Sequence, residues 1–205
     1  MSEIIRRLIK VQKWIFFETE RSSNKFIHNK SFQCFVFKPV ENNLFDKDLL
    51  FVNRNKSAKF KDRSIQGHHC YAFFNNSNDV VSYFWVSIPY NNFINVPWTD
   101  NIKIIIKAGN AYIWDCFTKE DYRGQGLYKQ GLTNIKSMCF KKGIKKVYIT
   151  SLYNNVASRK GINSAAFKRL SNYTVLRIGG HCIIKKSEGR ARLIRRGQSI
   201  DILSW

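Results

Sequence analysis

The residues best placed by type and spacing to do chemistry lie between Ala111 and Phe167. Ala111-Tyr-Ile-Trp-Asp115-Cys116-Phe117-Thr118 is rich in aromatic and β-branched residues, follows Gly109-Asn110, and reads as a strand. Arg123-Gly124-Gln125-Gly126 comes just after it. Apolar or small residues at Tyr128, Leu132, Ile135, Met138 and Cys139 then fall on one face of a helix that stops before Gly143. A helix start carries unpaired N–H groups and the positive end of the macrodipole, so it holds phosphate oxygens. Glycines let the backbone approach such a ligand with no Cβ in the way. Taken alone, the glycines read equally well as a tight turn.

A second strand, Lys145 to Ser151, leads into Asn154-Asn155-Val-Ala-Ser158-Arg-Lys160-Gly161-Ile162, with Ala165-Ala166-Phe167 closing the segment. In this order the two motifs resemble the GNAT superfamily of acyl-CoA-dependent N-acyltransferases. Its signature is Gln/Arg-x-x-Gly-x-Gly/Ala after a strand, then a helix, a strand, and an Asn-containing loop that opens another helix. Arg123, Gly124, Gln125 and Gly126 match the turn, and Tyr128 stands where Gly or Ala is usual. The resemblance covers roughly residues 110–170. It implies an α/β fold with a mixed, mostly antiparallel twisted sheet, splayed central strands and helices on both faces. The thioester arm of acyl-CoA lies in the wedge between those strands.

The co-substrate the resemblance implies is acetyl-CoA or another short-chain acyl-CoA. Arg123 and the amides of Gly124, Gln125, Gly126, Leu127 and Tyr128 are expected to hold its pyrophosphate. Phe117 and Thr118 belong to the same cofactor set; Asn155 fixes a pantetheine or peptide group, and Ser158 or Lys160 lies near the outer part. The oxyanion donor implied is backbone of the central strand, at Cys116 or Phe117.

Acyl transfer by direct attack needs a base for the amine, a donor for the oxyanion and a proton for the departing thiolate. Asp115, a carboxylate in mid-strand, is the first candidate base, against the alternative that it satisfies a buried partner. His69 and its neighbour His68 follow, since imidazole titrates near neutrality. Glu120 and Asp121 are suited to orienting Arg123. Family members often present an acid at the position of Ile162, and Tyr153 is the substitute at hand, with packing as its other role. A thiol of pKa about 8.5, by analogy with cysteine, also leaves without a dedicated acid. An acyl-cysteine at Cys116 ranks last, because no activating histidine accompanies it in the sequence.

Thr118-x-x-x-Tyr122-Arg123-Gly124-x-Gly126-Leu127-Tyr128 and Asn155-x-x-Ser158 are similar to the subgroup that serves surface-polysaccharide assembly. The acceptor this implies is a nucleotide-linked amino sugar. The alternatives are aminoacyl-tRNA, a protein amine, or CoA binding without turnover. The net charge of +21 favours anionic partners of any kind. Nucleic acid is the less favoured one, because no recognition signature accompanies the dispersed lysines. No metal is expected: the five cysteines are scattered and form no Cys-x-x-Cys, which suits reduced thiols in the cytoplasm. A homo-oligomer is compatible with the sequence, and no segment has the apolar length to span a bilayer.

The 205 residues suit one domain. Residues 1–108 read as its acceptor-side half, 109–186 as the acyl-CoA-binding core, and 187–205 as an extended, partly ordered tail. Residues 3–17 show the pattern of a basic amphipathic helix. Ser31–Phe37 alternates like a strand, Asp46–Val52 suggests a short helix, and 44–60 is otherwise ambiguous. His69–Phe74 and Val80–Ser87 form a hairpin pattern across 75–79. Pro89–Asp100 reads as an aromatic loop, Ile102–Lys107 as a strand, and Tyr173–Ile178 with His181–Lys185 as a second hairpin.

Overall fold

A computed structural model describes residues 9–21, 34–41, 44, 54–99, 102–178, 181–195 and 197–204. In chain order the elements are β1 (Ile9–Glu20), β2 (Val36–Pro39), α1 (Arg54–Ile65), β3 (His68–Phe74), β4 (Val80–Ser87), β5 (Phe93–Thr99) and β6 (Ile102–Lys107). They continue with β7 (Asn110–Thr118), α2 (Leu127–Lys141), β8 (Lys146–Leu152), α3 (Val156–Ser164), β9 (Lys168–Ile178), β10 (His181–Lys186), β11 (Ala191–Arg195) and β12 (Ser199–Ile200). The fold is mixed α/β. Nine strands form one sheet in the order β11-β10-β9-β1-β8-β7-β4-β3-β2, and β12-β6-β5 form a second.

Both faces of the large sheet are covered. On one, α1 and the small sheet enclose a cluster that includes Phe60, Tyr83, Trp85, Trp98, Ile104, Trp114 and Tyr173. On the other, α2 and α3 bury Leu132, Ile135, Cys139 and Ile162 against Phe84, Ile113 and Ile149. The approach of α2 is close: a Cβ on Gly131 would lie 2.1 Å from the Phe84 ring. Among the described residues no helix is long and apolar enough to cross a membrane.

The two hairpins, the central strand, α2 and the strand after it form where the residue pattern places them. In four places the structure differs from the expectation in whole or in part. Residues 9–20 are strand, not helix; those from 3 to 8 lie outside the described residues. β1 is an interior strand between β8 and β9, so its second half is apolar on both faces, with Trp14 and Phe16 turned to one cluster and Ile15 and Phe17 to the other. A run of that kind has no strict alternation and coincides with a helical stripe.

The aromatic loop at 89–100 contains β5, whose Val96 and Trp98 point inward while Asn95 and Pro97 point out. β5 is an edge of the small sheet, where the N–H missing from Pro97 costs no interior ladder bond. The tail is structured as well. β11 pairs with β10, β12 runs parallel to β6, and Ile200 and Ile202 are buried. The Tyr173 hydroxyl donates to the Ile202 carbonyl at 3.1 Å. Finally, the strand expected over Ser31–Phe37 falls in part outside the described residues, which show β2 at Val36–Pro39, and α1 was not visible in the pattern. Asp46–Val52 lies outside the described residues.

Candidate active site

The site is organised by an irregularity in β7. Trp114 pairs with Trp85 and Phe117 with Tyr83, so Asp115 and Cys116 together face the single residue Phe84. This is a β-bulge, and Asp115 has a φ of +41°, a conformation that costs a non-glycine residue about 1 kcal/mol. The extra residue turns Trp114 and Asp115 toward α1, while Cys116 faces α2. On its other edge β7 runs parallel to β8, but the ladder covers only Asn110–Ile113 against Lys146–Ile149. Beyond that point the ladder between the two strands does not continue. An extended, amide-bearing arm satisfies strand edges that no ladder joins as an added strand does.

At the end of β7 the chain makes a short 3-10 turn, Glu120–Tyr122, closed by the Arg123 N–H on the Glu120 carbonyl at 3.0 Å. Gly124 and Gly126 follow with φ of +77° and +80°. The first α2 bond beyond the turn runs from Gln130 N–H to the Gly126 carbonyl, and no side chain caps the helix. The amides of Leu127, Tyr128 and Lys129 therefore precede the ladder, beside an exposed glycine turn. Arg123 ties the turn to β7: its Nε donates to the Thr118 carbonyl at 3.2 Å, and its guanidinium lies 3.7 Å from Glu120. Asp121 contributes through its carbonyl, which accepts from Gln125 Nε2.

Tyr128, bulky for its place, is accommodated by α3. A Cβ on Gly161 would lie 2.4 Å from the Tyr128 ring, so the ring occupies the space the glycine leaves. Its hydroxyl is 3.1 Å from Ser158 Oγ, and the ring stacks on Phe84. Asn155 caps α3, accepting from the Ser158 N–H at 3.0 Å. Phe117, Thr118, the 123–128 turn, Asn155 and Ser158 are thus linked into one region. Lys160 is exposed on α3, and Ile162 is wholly buried core.

On the α1 face the Asp115 carboxylate pairs with Arg63 at 2.5 Å. The guanidinium carbon lies 4.5 Å from the centre of the Trp114 ring, 5.2 Å from Phe60 and 5.3 Å from Trp85. Trp114 Nε1 donates to Ser87 Oγ at 2.8 Å, and Ser87 Oγ is 2.9 Å from His68 Nδ1. The serine oxygen accepts from the indole and has both a proton and a second lone pair to offer Nδ1, so the contact suits either His68 tautomer. Among the described residues Nε2 has no hydrogen-bond partner. Burial, with Arg63 second and His69 and Lys103 behind it, pulls the His68 pKa down to about 4. His68 is neutral at pH 7, and its side chain is buried in the core rather than open to an amine.

The other candidates fall elsewhere. His69 is 2.8 Å from the Tyr90 hydroxyl, and its pKa is lowered by burial and by Lys142, at the C-terminal end of α2. That is the end opposite the glycine turn, and the face opposite Asp115. Tyr153 is half exposed past the end of β8, with Arg159 over its ring. Burial first, then Asp115 and Cys70, raise the Cys116 thiol well above its ordinary pKa, so it stays protonated at neutral pH. Arg63, Ser87 and Trp114 were missing from the sequence reading. With Phe60 as its one buried aromatic among charged and polar neighbours, α1 carries almost no apolar stripe to announce Arg63.

A sequence profile described as the Acetyltransferase (GNAT) family matches residues 37–161. That is more than half of the chain, and the chain belongs to this family. No match is found among curated proteins. Solved structures of like fold include a GCN5-related N-acetyltransferase from Sphaerobacter thermophilus, 10% identical with a TM-score of 0.56, in which 96% of this chain covers 56% of that one. A GNAT-family acetyltransferase from Colwellia psychrerythraea is 11% identical with a TM-score of 0.53, over 83% of this chain and 57% of that one. An acetyltransferase of the family from Novosphingobium aromaticivorans is 11% identical with a TM-score of 0.52, over 83% and 65%. The chain thus spans less than two thirds of each of these proteins, and the likeness is one of fold.

Proposed function

We propose that this chain moves an acetyl or short acyl group from acyl-CoA to the amine of a nucleotide-linked amino sugar, by direct attack and without an acyl-enzyme. The observation that carries this reading is the break in the β7–β8 ladder after Ile113 and Ile149, at the same end of β7 as an uncapped helix start. Strand edges that no ladder joins suit a pantetheine arm, and the bare amides from Gly124 to Lys129 suit a pyrophosphate. Arg123 then adds charge at the rim.

In this reading the amine approaches from the α1 face. Asp115 takes its proton on Oδ1, since Oδ2 is held by Arg63. Backbone N–H at Cys116, which the bulge sets out of register with β4, or at Phe117 beside it stabilises the oxyanion. The thiolate leaves as a good leaving group and is protonated by solvent, a step that requires neither Tyr153 nor an acid at Ile162. The amino-sugar acceptor draws support from the Thr118–Tyr128 and Asn155–Ser158 patterns and from the positive charge. We assign the whole chain to one domain and, from its free cysteines, to the cytoplasm.

Calorimetric titration with CoA followed by thiol release against dTDP- and UDP-amino sugars tests the reading. Saturable CoA binding and release with an amino sugar support it. Release only with charged tRNA would favour the nucleic-acid alternative, which the +21 charge also suits. Binding without release from any amine would favour a CoA-binding module.

A further inference from the structure

The Arg63–Asp115 pair has more hydrogen-bonding capacity than it uses. A guanidinium carries five N–H donors, and among the described residues Arg63 spends one, on Asp115 Oδ2. Its other neighbours are the rings of Trp114, Phe60 and Trp85, which attract a cation but satisfy no donor in the plane of the fork. The Arg63 side chain remains 21% exposed and that of Asp115 37%, so both are reachable from solvent. An ion pair this open contributes little to stability. It is nonetheless built on a rigid base, because Trp114 is fixed from below by Ser87 and His68 in the buried core. The carboxylate, moreover, hangs from a backbone position in strain.

We infer that Arg63 recognises an anionic group that the acceptor carries a few bonds from its amine, while Asp115 receives the amine itself. The site then selects acceptors with an amine and an oxyanion close together, and discriminates against plain alkyl amines. This rests on the acyltransferase reading and narrows its acceptor class. The shared chemistry is an oxyanion presented to the planar fork of a guanidinium, and its source is either the phosphate of an amino-sugar nucleotide or the carboxylate of an amino acid.

The test is a steady-state comparison of the full chain with its Arg63→Gln and Arg63→Lys variants on three acceptors: an amino-sugar nucleotide, an α-amino acid and a neutral alkyl amine. CoA affinity is measured alongside by calorimetry. The expected result is a wild-type preference for one of the anionic acceptors. Arg63→Gln raises its KM about tenfold or more, leaves the CoA affinity unchanged, and lowers kcat/KM for that acceptor by about tenfold more than for the alkyl amine, whose own loss reports only the freed Asp115 carboxylate. Arg63→Lys restores part of the KM, because it returns the charge but not the fork. Whichever anionic acceptor responds identifies the source. A fall in kcat on all acceptors alike, with KM unmoved, would reduce Arg63 to a residue that only orients Asp115, and would overturn the inference. So would a wild-type preference for the alkyl amine. Failure of the wild type to bind CoA would sink the acyltransferase reading itself, a different outcome from either of these.

Discussion

The two sides of β7 are built in opposite ways. On the α2 side, the proposed cofactor region comes from residues close in sequence, Thr118 through Ser158, and its binding groups are mostly backbone amides at helix starts. On the α1 side, Arg63, His68, Ser87 and Asp115 arrive from four separate elements, with Arg63 and Asp115 52 positions apart, and the working groups are side chains. A backbone cradle tolerates change in the residues around it, so it suits a constant ligand. A cluster of converging side chains alters with each substitution, which suits a ligand that differs between family members.

The contrast is sharpest at Asp115. Replacing it by Asn keeps an acceptor for Arg63 and removes the proposed base. The expected outcome is a fall in kcat of about 10²- to 10⁴-fold, with the CoA dissociation constant unchanged by calorimetry. A parallel loss of CoA affinity would mean that the two sides are not separable.

The buried support beneath the proposed acceptor side responds to pH. His68 has a folded pKa of about 4, below its unfolded value of 6.5. Above 6.5 the ring is neutral in both states and contributes no pH dependence. Between 6.5 and about 4 the unfolded chain binds a proton that the folded one excludes, so stability falls as pH falls, by up to about 3 kcal/mol, and then levels off. Thermal melts from pH 7 to pH 4.5 should show a shallower decline in His68→Asn than in the wild type. Equal declines would mean that the ring takes up a proton in place.

The same contrast explains what could be read from the sequence. The Arg123–Gly126 turn, α2, and the Asn155 cap are local features. A glycine required by positive φ and a cap three residues from its N–H leave marks at fixed short spacing. Asp115 was legible as an anomaly, a carboxylate inside a strand. Its partner was not, because the pairing of Arg63 with Asp115 depends on how α1 settles on β4, and no spacing encodes that. Nor did pattern distinguish His68 from His69: adjacent strand residues face opposite ways, and only the register of β3 against β4 decides which one meets Ser87. β1 was misassigned for the same reason: it is an interior strand only because β8 and β9, from the far half of the chain, pair with its two edges.

On the proposed cofactor side, the fit between Tyr128 and Gly161 is open to a double-mutant cycle. Gly161→Ala places a methyl 2.4 Å from the ring, which must move and give up Ser158 and part of its stack on Phe84. The expected cost is about 1–3 kcal/mol. With Tyr128→Leu in the background the methyl has room, and the two changes together should cost at least about 1 kcal/mol less than their sum. Additivity in chemical denaturation would show that the helices do not meet through this ring.

The smallest effect is expected where the two sides meet, at Cys116. Its side chain faces α2 while its backbone belongs to the bulge, and the thiol is held protonated by burial and by the neighbouring Asp115 charge. If the acyl group passed through this sulfur, Cys116→Ala would abolish turnover, and rapid mixing with acyl-CoA would give a burst of free thiol before any acceptor was added. Direct attack needs only the backbone at this position, which alanine retains. Cys116→Ala should therefore keep kcat within about threefold of wild type, with no burst. A change that small, set beside the loss at Asp115 one residue away, would show that the bulge works through its carboxylate and its amides, and that the sulfur between the two sides is packing.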